Sequence, residues 1–196
     1  MKKLLLATNN QGKIKEIKNI LIDLPFKILT LKDVKIRDLS EESGNSFQEN
    51  ALSKAKEVGN KSGILTLADD SGLEIEALGG RPGIHSARYV SGSDMDRINK
   101  VLSEMKGVPP GKRKARFISV IALYDPLNKK EFVAKGQATG KITLAPIGTN
   151  GFGYDPIFLS DDLKKTFGQA SDKEKSEISH RARGLYKMLD ILASFC

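Results

Sequence analysis

The run Ile64-Leu65-Thr66-Leu67-Ala68, with the acidic pair behind it, constrains this chain more than any other stretch. It has the length and composition of a buried strand. Two adjacent carboxylates, Asp69 and Asp70, come straight after it, then Ser71 and Gly72. Leu73, Ile75 and Ala77 then alternate with Glu74 and Glu76, which predicts a second strand with one face in water. Gly79-Gly80-Arg81-Pro82-Gly83 closes it. Acids at the end of an apolar strand are fixed by the sheet yet open to a ligand, and in open α/β sheets that rim is where ligands bind. Read alone, Asp69-Asp70-Ser71-Gly72 is a turn more readily than a metal site. Two neighbouring carboxylates repel, however, and a cation between them or a raised pKa relieves that repulsion.

Along the chain, Lys3 to Ala7 is a buried strand and Ile14, Ile17, Leu21 and Leu24 mark a helix that Pro25 stops. The connection Thr8-Asn9-Asn10-Gln11-Gly12-Lys13 is either an ordinary capped helix start or a phosphate cradle. In the second reading, free N–H groups, the helix dipole and Lys13 face an anion. It is not a Walker A loop, since GxxxxGK is missing. Phe26 to Leu31 is a second strand. A helix starts at Ser46, with Phe47, Ala51, Ala55 and Val58 inward and Ser46–Glu49 matching a capping box. Asn50 and Lys54 share one face of it, as exposed polar residues or as phosphate contacts. Glu41 and Glu42 lie in the loop before it.

Further on, Ser91 to Gly107 is a helix with Met95, Ile98, Val101, Leu102 and Met105 inward. Ala115 to Tyr124 is apolar almost throughout, as a central strand should be, and Asp125-Pro126-Leu127-Asn128 turns it into a partner over Glu131 to Thr139. Gly148 to Phe158 interleaves glycines with aromatics. Such a loop holds a base against a ring, or simply turns a corner with its aromatics in the core. Ser171 to Cys196 is helical, with Leu185, Met188, Leu189 and Leu192 inward, and it carries Lys175 and Ser179-His180-Arg181.

At 196 residues the chain makes one domain, or two lobes sharing a core. Its formal charge of +8 points to an anionic partner. The 32 Lys and Arg are spread out, with no block longer than Lys112-Arg113-Lys114, and aromatics are only 6%, so a small polyanion suits the charge as well as nucleic acid does. The one cysteine, Cys196, precludes an intrachain disulfide and suits an intracellular protein. The apolar start Leu4 to Ala7 is too short for a secretory segment, and no run reaches the ~18 apolar residues of a membrane span. A cytoplasmic protein without membrane contact is expected.

Together the motifs Thr8 to Lys13, Glu41-Glu42, Ser46 to Ala51 with Lys54-Ala55, Leu67 to Leu73, Pro82 to Tyr89, Gly151 to Phe158 and Ser179-His180-Arg181 resemble, in order, the inosine triphosphate pyrophosphatase (XTP/dITP diphosphatase) family. The resemblance implies an α/β fold of two lobes around a long mixed, bent β-sheet flanked by helices, with the nucleotide in a cleft between the lobes. It implies a homodimer, Mg²⁺ as cofactor, no nucleic-acid partner, and hydrolysis of ITP, dITP and XTP to nucleoside monophosphate and pyrophosphate. Carried over by position, Asp70 is the proton acceptor and a metal ligand, and Glu41 is the second metal contact. Thr8, Asn9, Asn10, Gln11, Gly12, Lys13 and Ser71 hold the phosphates and sugar. Phe152, Gly153, Tyr154, Asp155, Lys175, His180 and Arg181 line the nucleotide pocket. Donors such as the Arg181 guanidinium would suit the purine 6-oxygen of hypoxanthine or xanthine and disfavour the amine of adenine. A related pyrophosphatase for other modified nucleotides, or a binding module for RNA or nucleotides without catalysis, are the competing readings.

Overall fold

The computed structural model describes residues 1–196, in two compact units. The first comprises residues 1–70, 119–136 and 181–196. Strand β1 (Lys2–Leu6) pairs in parallel with β2 (Phe26–Thr30) on one side and with β3 (Thr66–Ile75) on the other. Helix α1 (Gln11–Ile20) carries the chain from β1 to β2, and α2 (Phe47–Ser62) lies between β2 and β3. Parallel pairing needs such crossovers and leaves the strand covered on both faces. Leu4, Leu5 and Leu6 are accordingly all fully buried, which is why β1 reads as a continuous apolar run. Leu4, Leu6, Ile14, Ile17, Leu67, Ile121, Leu185 and Met188 belong to this unit's core.

The second unit comprises residues 71–118 and 137–180. It holds helix α3 (Asp94–Glu104), the first part of β4 (Lys114–Asp125), the last part of β5 (Lys130–Ile142), β6 (Phe158–Ser160) and α4 (Asp172–Ile178). Its core gathers Leu73, Ile75, Ile98, Val101, Met105, Phe117, Phe158 and Phe167. The strand order of the mixed sheet is β2-β1-β3-β4-β5-β6. Residues 126–129 alone join β4 to β5, and so short a link requires antiparallel strands. Gly140 in β5 is needed where β6 approaches, because a Cβ there would lie 2.3 Å from the Leu159 carbonyl oxygen. No helix is long and apolar enough to cross a membrane.

Five expectations change. Asp69-Asp70-Ser71-Gly72 is no turn: β3 runs unbroken from Thr66 to Ile75, and the alternation beyond it fails because Glu76–Leu78 is a single 3₁₀ turn that leaves Ala77 exposed. Helix α3 starts three residues later than expected, where Ser93 and Asp96 form a capping box. Met95 is 48% exposed, since at 100° per residue it sits about 90° round from the stripe of Ile98, Val101 and Met105. The C-terminal helix is two helices. Ser179 takes an extended conformation (ψ 160°) between α4 and α5 (His180–Ala193), the backbone geometry of an N-cap residue.

Candidate functional site

In the first unit the site is built on the ends of β1 and β3. Asn10 caps α1, its side chain accepting from the Lys13 N–H at 3.0 Å, and the Thr8 hydroxyl accepts from the Asn10 N–H. The cap turns the first helical residues so that Lys13 reaches back across the sheet. Its Nζ lies 2.8 Å from the Asp69 carboxylate and 3.2 Å from the Asp69 carbonyl oxygen. Asn9 and Gln11 are exposed and Gly12 is half-buried, so this loop stands open to solvent above the strand end.

Successive side chains of a strand point to opposite faces, and that alternation gives the two neighbouring aspartates opposite environments. Asp69 is 1% exposed. Its carboxylate receives Lys13, the Arg181 Nε and Nη2 at 3.3 and 3.1 Å, and the Ser119 hydroxyl. Burial alone would raise its pKa, but Arg181 and Lys13 overcome that and hold it well below the usual carboxylate range. Asp70 accepts from the buried Asn50 amide at 3.1 Å and lies 3.4 Å from the Lys54 ammonium. Burial pushes its pKa above the usual value, Glu42 adds to that, and Lys54 only partly offsets it. The two neighbouring carboxylates are thus driven apart, Asp69 held ionised and Asp70 pushed toward its neutral form.

Lys54 ties the acidic loop to this centre. Its Nζ contacts Glu42 at 2.6 Å, Asp70, and the Asp69 carbonyl at 3.2 Å. Burial would lower its pKa, yet Asp70 and Glu42 raise it overall, so it stays charged. Asn50 also accepts the Gly44 N–H at 2.9 Å. A side chain on Gly44 would press within 2.5 Å of that same amide oxygen, so the loop can close on Asn50 only through glycine. Asn50 and Lys54 are therefore not a solvated face: both hold Asp70, while the Lys54 side chain stays 12% exposed. Ser46 caps α2 as expected, but Glu49 reaches the Asn45 N–H instead of completing the capping box. Of the acidic pair, Glu42 touches the site, whereas Glu41 is exposed and lines a shallow cavity with Ser43, Gly44, Asn50 and Lys54.

Arg181, which the resemblance puts at the nucleotide pocket, is buried in the first unit. It is 1% exposed, and its guanidinium is turned onto Asp69 and Glu16.

The second unit carries the remaining candidates. Ser71 follows Asp70 in β3 and is half-buried. Asp155 is buried, pairs with the Lys175 ammonium and accepts the Phe152 N–H at 2.8 Å. Lys175 lies 4.8 Å from the centroid of the Phe152 ring. Tyr154 is a core residue whose hydroxyl donates to the Ser86 carbonyl at 2.9 Å. His180 stacks on Phe117 with centroids 4.6 Å apart. Gly153 donates its N–H to Asp94 at 2.7 Å. Phe152 and Gly153 are half-buried, while Tyr154, Asp155, Lys175 and His180 are buried. The structure thus gathers Lys13, Asp70 and Arg181 in one cluster and Phe152, Asp155 and Lys175 in another. It adds Glu16 and Ser119, for which the sequence carries no signal, and ties Asn50, Lys54 and Asp69 into the same cluster.

A split pair of aspartates, a lysine from a capped helix start and a glycine-hinged acidic loop occur together here on one sheet. The sequence profile of the Ham1 family matches residues 4–191. The chain belongs to the Ham1 family. It is 45% identical to the dITP/XTP pyrophosphatase of Symbiobacterium thermophilum over 97% of this chain and 95% of that protein. The protein of the same name from Clostridium perfringens is 44% identical, over 98% of each chain. A Ham1 protein of known structure, from Coxiella burnetii, superposes with a TM-score of 0.88 at 37% identity, covering 99% of this chain and all of that one. The mixed sheet with flanking helices is therefore the Ham1 architecture, and both side-chain clusters lie within the segment that the family profile covers.

Proposed function

We propose that this Ham1 protein hydrolyses deaminated purine nucleoside triphosphates, ITP, dITP and XTP, to the monophosphate and pyrophosphate. The names of its relatives give the substrate class, and near-complete mutual coverage supports carrying it over. The single observation that carries the chemistry is the division of labour between Asp69 and Asp70. Asp70, with a raised pKa and a carboxylate oriented by Asn50 and Lys54, is placed to accept a proton from a water attacking the α-phosphorus. Lys13, Lys54 and the open N–H groups at the start of α1 then hold the negative charge that develops on the departing pyrophosphate. No protein nucleophile is invoked.

The carboxylates Glu16, Glu42, Asp69 and Asp70 outnumber the cations Lys13, Lys54 and Arg181 in this cluster. A polyanionic triphosphate entering such a site calls for a further cation. The donor set suits Mg²⁺: Asp70 and Glu42 supply hard carboxylate oxygens, Glu41 stands on the same loop, and Mg²⁺ commonly takes one or two carboxylates together with substrate oxygens. When bound, Mg²⁺ would supply charge neutralisation to the phosphate oxygens. We assign the base end of the nucleotide to Phe152 and Gly153, two half-buried positions of the glycine-rich loop, and, following the resemblance, a homodimer in the cytoplasm.

Turnover of ITP, XTP, GTP and ATP, each with and without Mg²⁺, tests this reading. ITP and XTP should yield pyrophosphate, only when Mg²⁺ is present, and far faster than ATP. Orthophosphate as the first product, or equal rates on ATP, would contradict it.

A further inference from the structure

Asp69 has no direct part in the proposed reaction, yet Lys13, Arg181 and Ser119 all converge on its carboxylate. Arg181 binds Asp69 through two nitrogens and is shared with Glu16. Two further cations also converge on this residue. Lys13 Nζ and Lys54 Nζ each stand 3.2 Å from the same Asp69 carbonyl oxygen, and Lys13 holds the carboxylate as well. The two lysines arrive from different helices, α1 and α2, and their side chains are 14% and 12% exposed. Each ammonium therefore lies against Asp69 while its side chain keeps some access to solvent. Two ammonium groups sharing one carbonyl oxygen repel one another, and such an arrangement persists only where negative charge offsets it. The Asp69 carboxylate supplies that charge to Lys13, while Glu42 and Asp70 supply it to Lys54.

We propose that Asp69 is a positioning residue that sets the Lys13 ammonium, beside that of Lys54, at the spacing that receives the phosphate chain. The inference rests on the triphosphate reading and deepens it: the carboxylate orders the phosphate-binding lysines without touching the reacting atoms. Ser119 in β4 and Arg181 in α5 fix the carboxylate from behind. Asp69 thus transmits the position of two elements of the unit's core to the side chain at the start of a third.

The test is a double-mutant cycle of Asp69→Asn with Lys13→Met. It is read as the dissociation constant of a non-hydrolysable α,β-methylene ITP analogue with Mg²⁺ and, in parallel, of inosine. Asp69→Asn should weaken the analogue by about tenfold in the presence of Lys13 and by less than about threefold in the Lys13→Met background, which is the size of coupling expected of residues in contact. Inosine affinity should stay unchanged throughout. Equal losses in both backgrounds, or an equal loss for inosine, would overturn the inference and leave Asp69 a purely structural group. Should Asp69→Asn show no cooperative unfolding transition, Ser119→Ala replaces it in the same cycle. That variant keeps every charge and removes one donor to the carboxylate. It should raise KM for ITP about threefold at unchanged kcat, an effect that vanishes in Lys13→Met, and additivity would again overturn the inference. A wild-type protein that hydrolyses no ITP would instead bring down the functional reading; additivity in an active enzyme brings down this inference alone.

Discussion

Asp70→Asn should lower kcat for ITP by roughly 10²–10⁴-fold, the range associated with losing a positioned general base, while leaving the thermal midpoint within a few degrees of wild type. The two halves of this expectation have one origin. Burial raises the pKa of Asp70 in the folded protein, so the fold disfavours the ionised form that catalysis needs. A group whose folded pKa lies above its unfolded value weakens the fold once it ionises, and an isosteric neutral amide removes that burden. Lys54 keeps Glu42 and the Asp69 carbonyl after the change, so no buried cation is stranded. An asparagine cannot accept the proton, and kcat should fall much more than KM changes. Wild-type kcat in a folded Asp70→Asn protein would remove Asp70 from the chemistry.

Arg181→Met should behave in the opposite way, with a large loss of stability. The guanidinium is 1% exposed and neutralises both Asp69 and Glu16, and removing one partner of a buried ion pair costs about 3–5 kcal/mol because the other charge is left uncompensated. In a chain of this length each kcal/mol corresponds to roughly 2–4 °C of thermal midpoint. The pH dependence should change too. Burial opposes the charge of Asp69, but Arg181 and Lys13 hold its folded pKa far below the unfolded value of about 3.9. Its charge therefore stabilises the fold at every pH above that value, and the contribution is lost only as pH falls through the much lower folded pKa. Without Arg181 the folded pKa rises and acid unfolding should begin at a higher pH. If Arg181 instead served only to read the purine 6-oxygen, the variant would keep its stability and lose discrimination between ITP and ATP.

Much of the fold and part of the site could be read from local pattern. The Leu4–Leu6 run, the Asn10-capped helix and the apolar β4 strand all satisfy short-range rules, and they sit where those rules put them. The aspartate pair did not obey them. Asp-Asp-Ser-Gly favours a turn when only its neighbours count. In the fold, though, Asp69 is stabilised by Lys13, Ser119 and Arg181, which stand 56, 50 and 112 residues away. These contacts let the carboxylates ride inside a continuous strand. The same distance in sequence hid Glu16 and Ser119, because a lone glutamate on a helix and a serine in an apolar strand carry no local signal. Asn50 and Lys54 did share a helix face, and that spacing was the available clue that they act on one target. The break at Ser179 has no local signal, because an apolar stripe continues on its far side through Leu185, Met188 and Leu192.

The site stands or falls on where the water attacks. Hydrolysis of ITP in ¹⁸O-labelled water, with the isotope located by mass spectrometry, decides it. A water whose proton passes to Asp70 while the Lys13 and Lys54 side accepts the leaving group should place the label in inosine monophosphate and leave pyrophosphate unlabelled. Label in pyrophosphate, or in released orthophosphate, would mean attack at another phosphorus and would contradict the placing of Asp70 at the attacking water and of the two lysines at the leaving group.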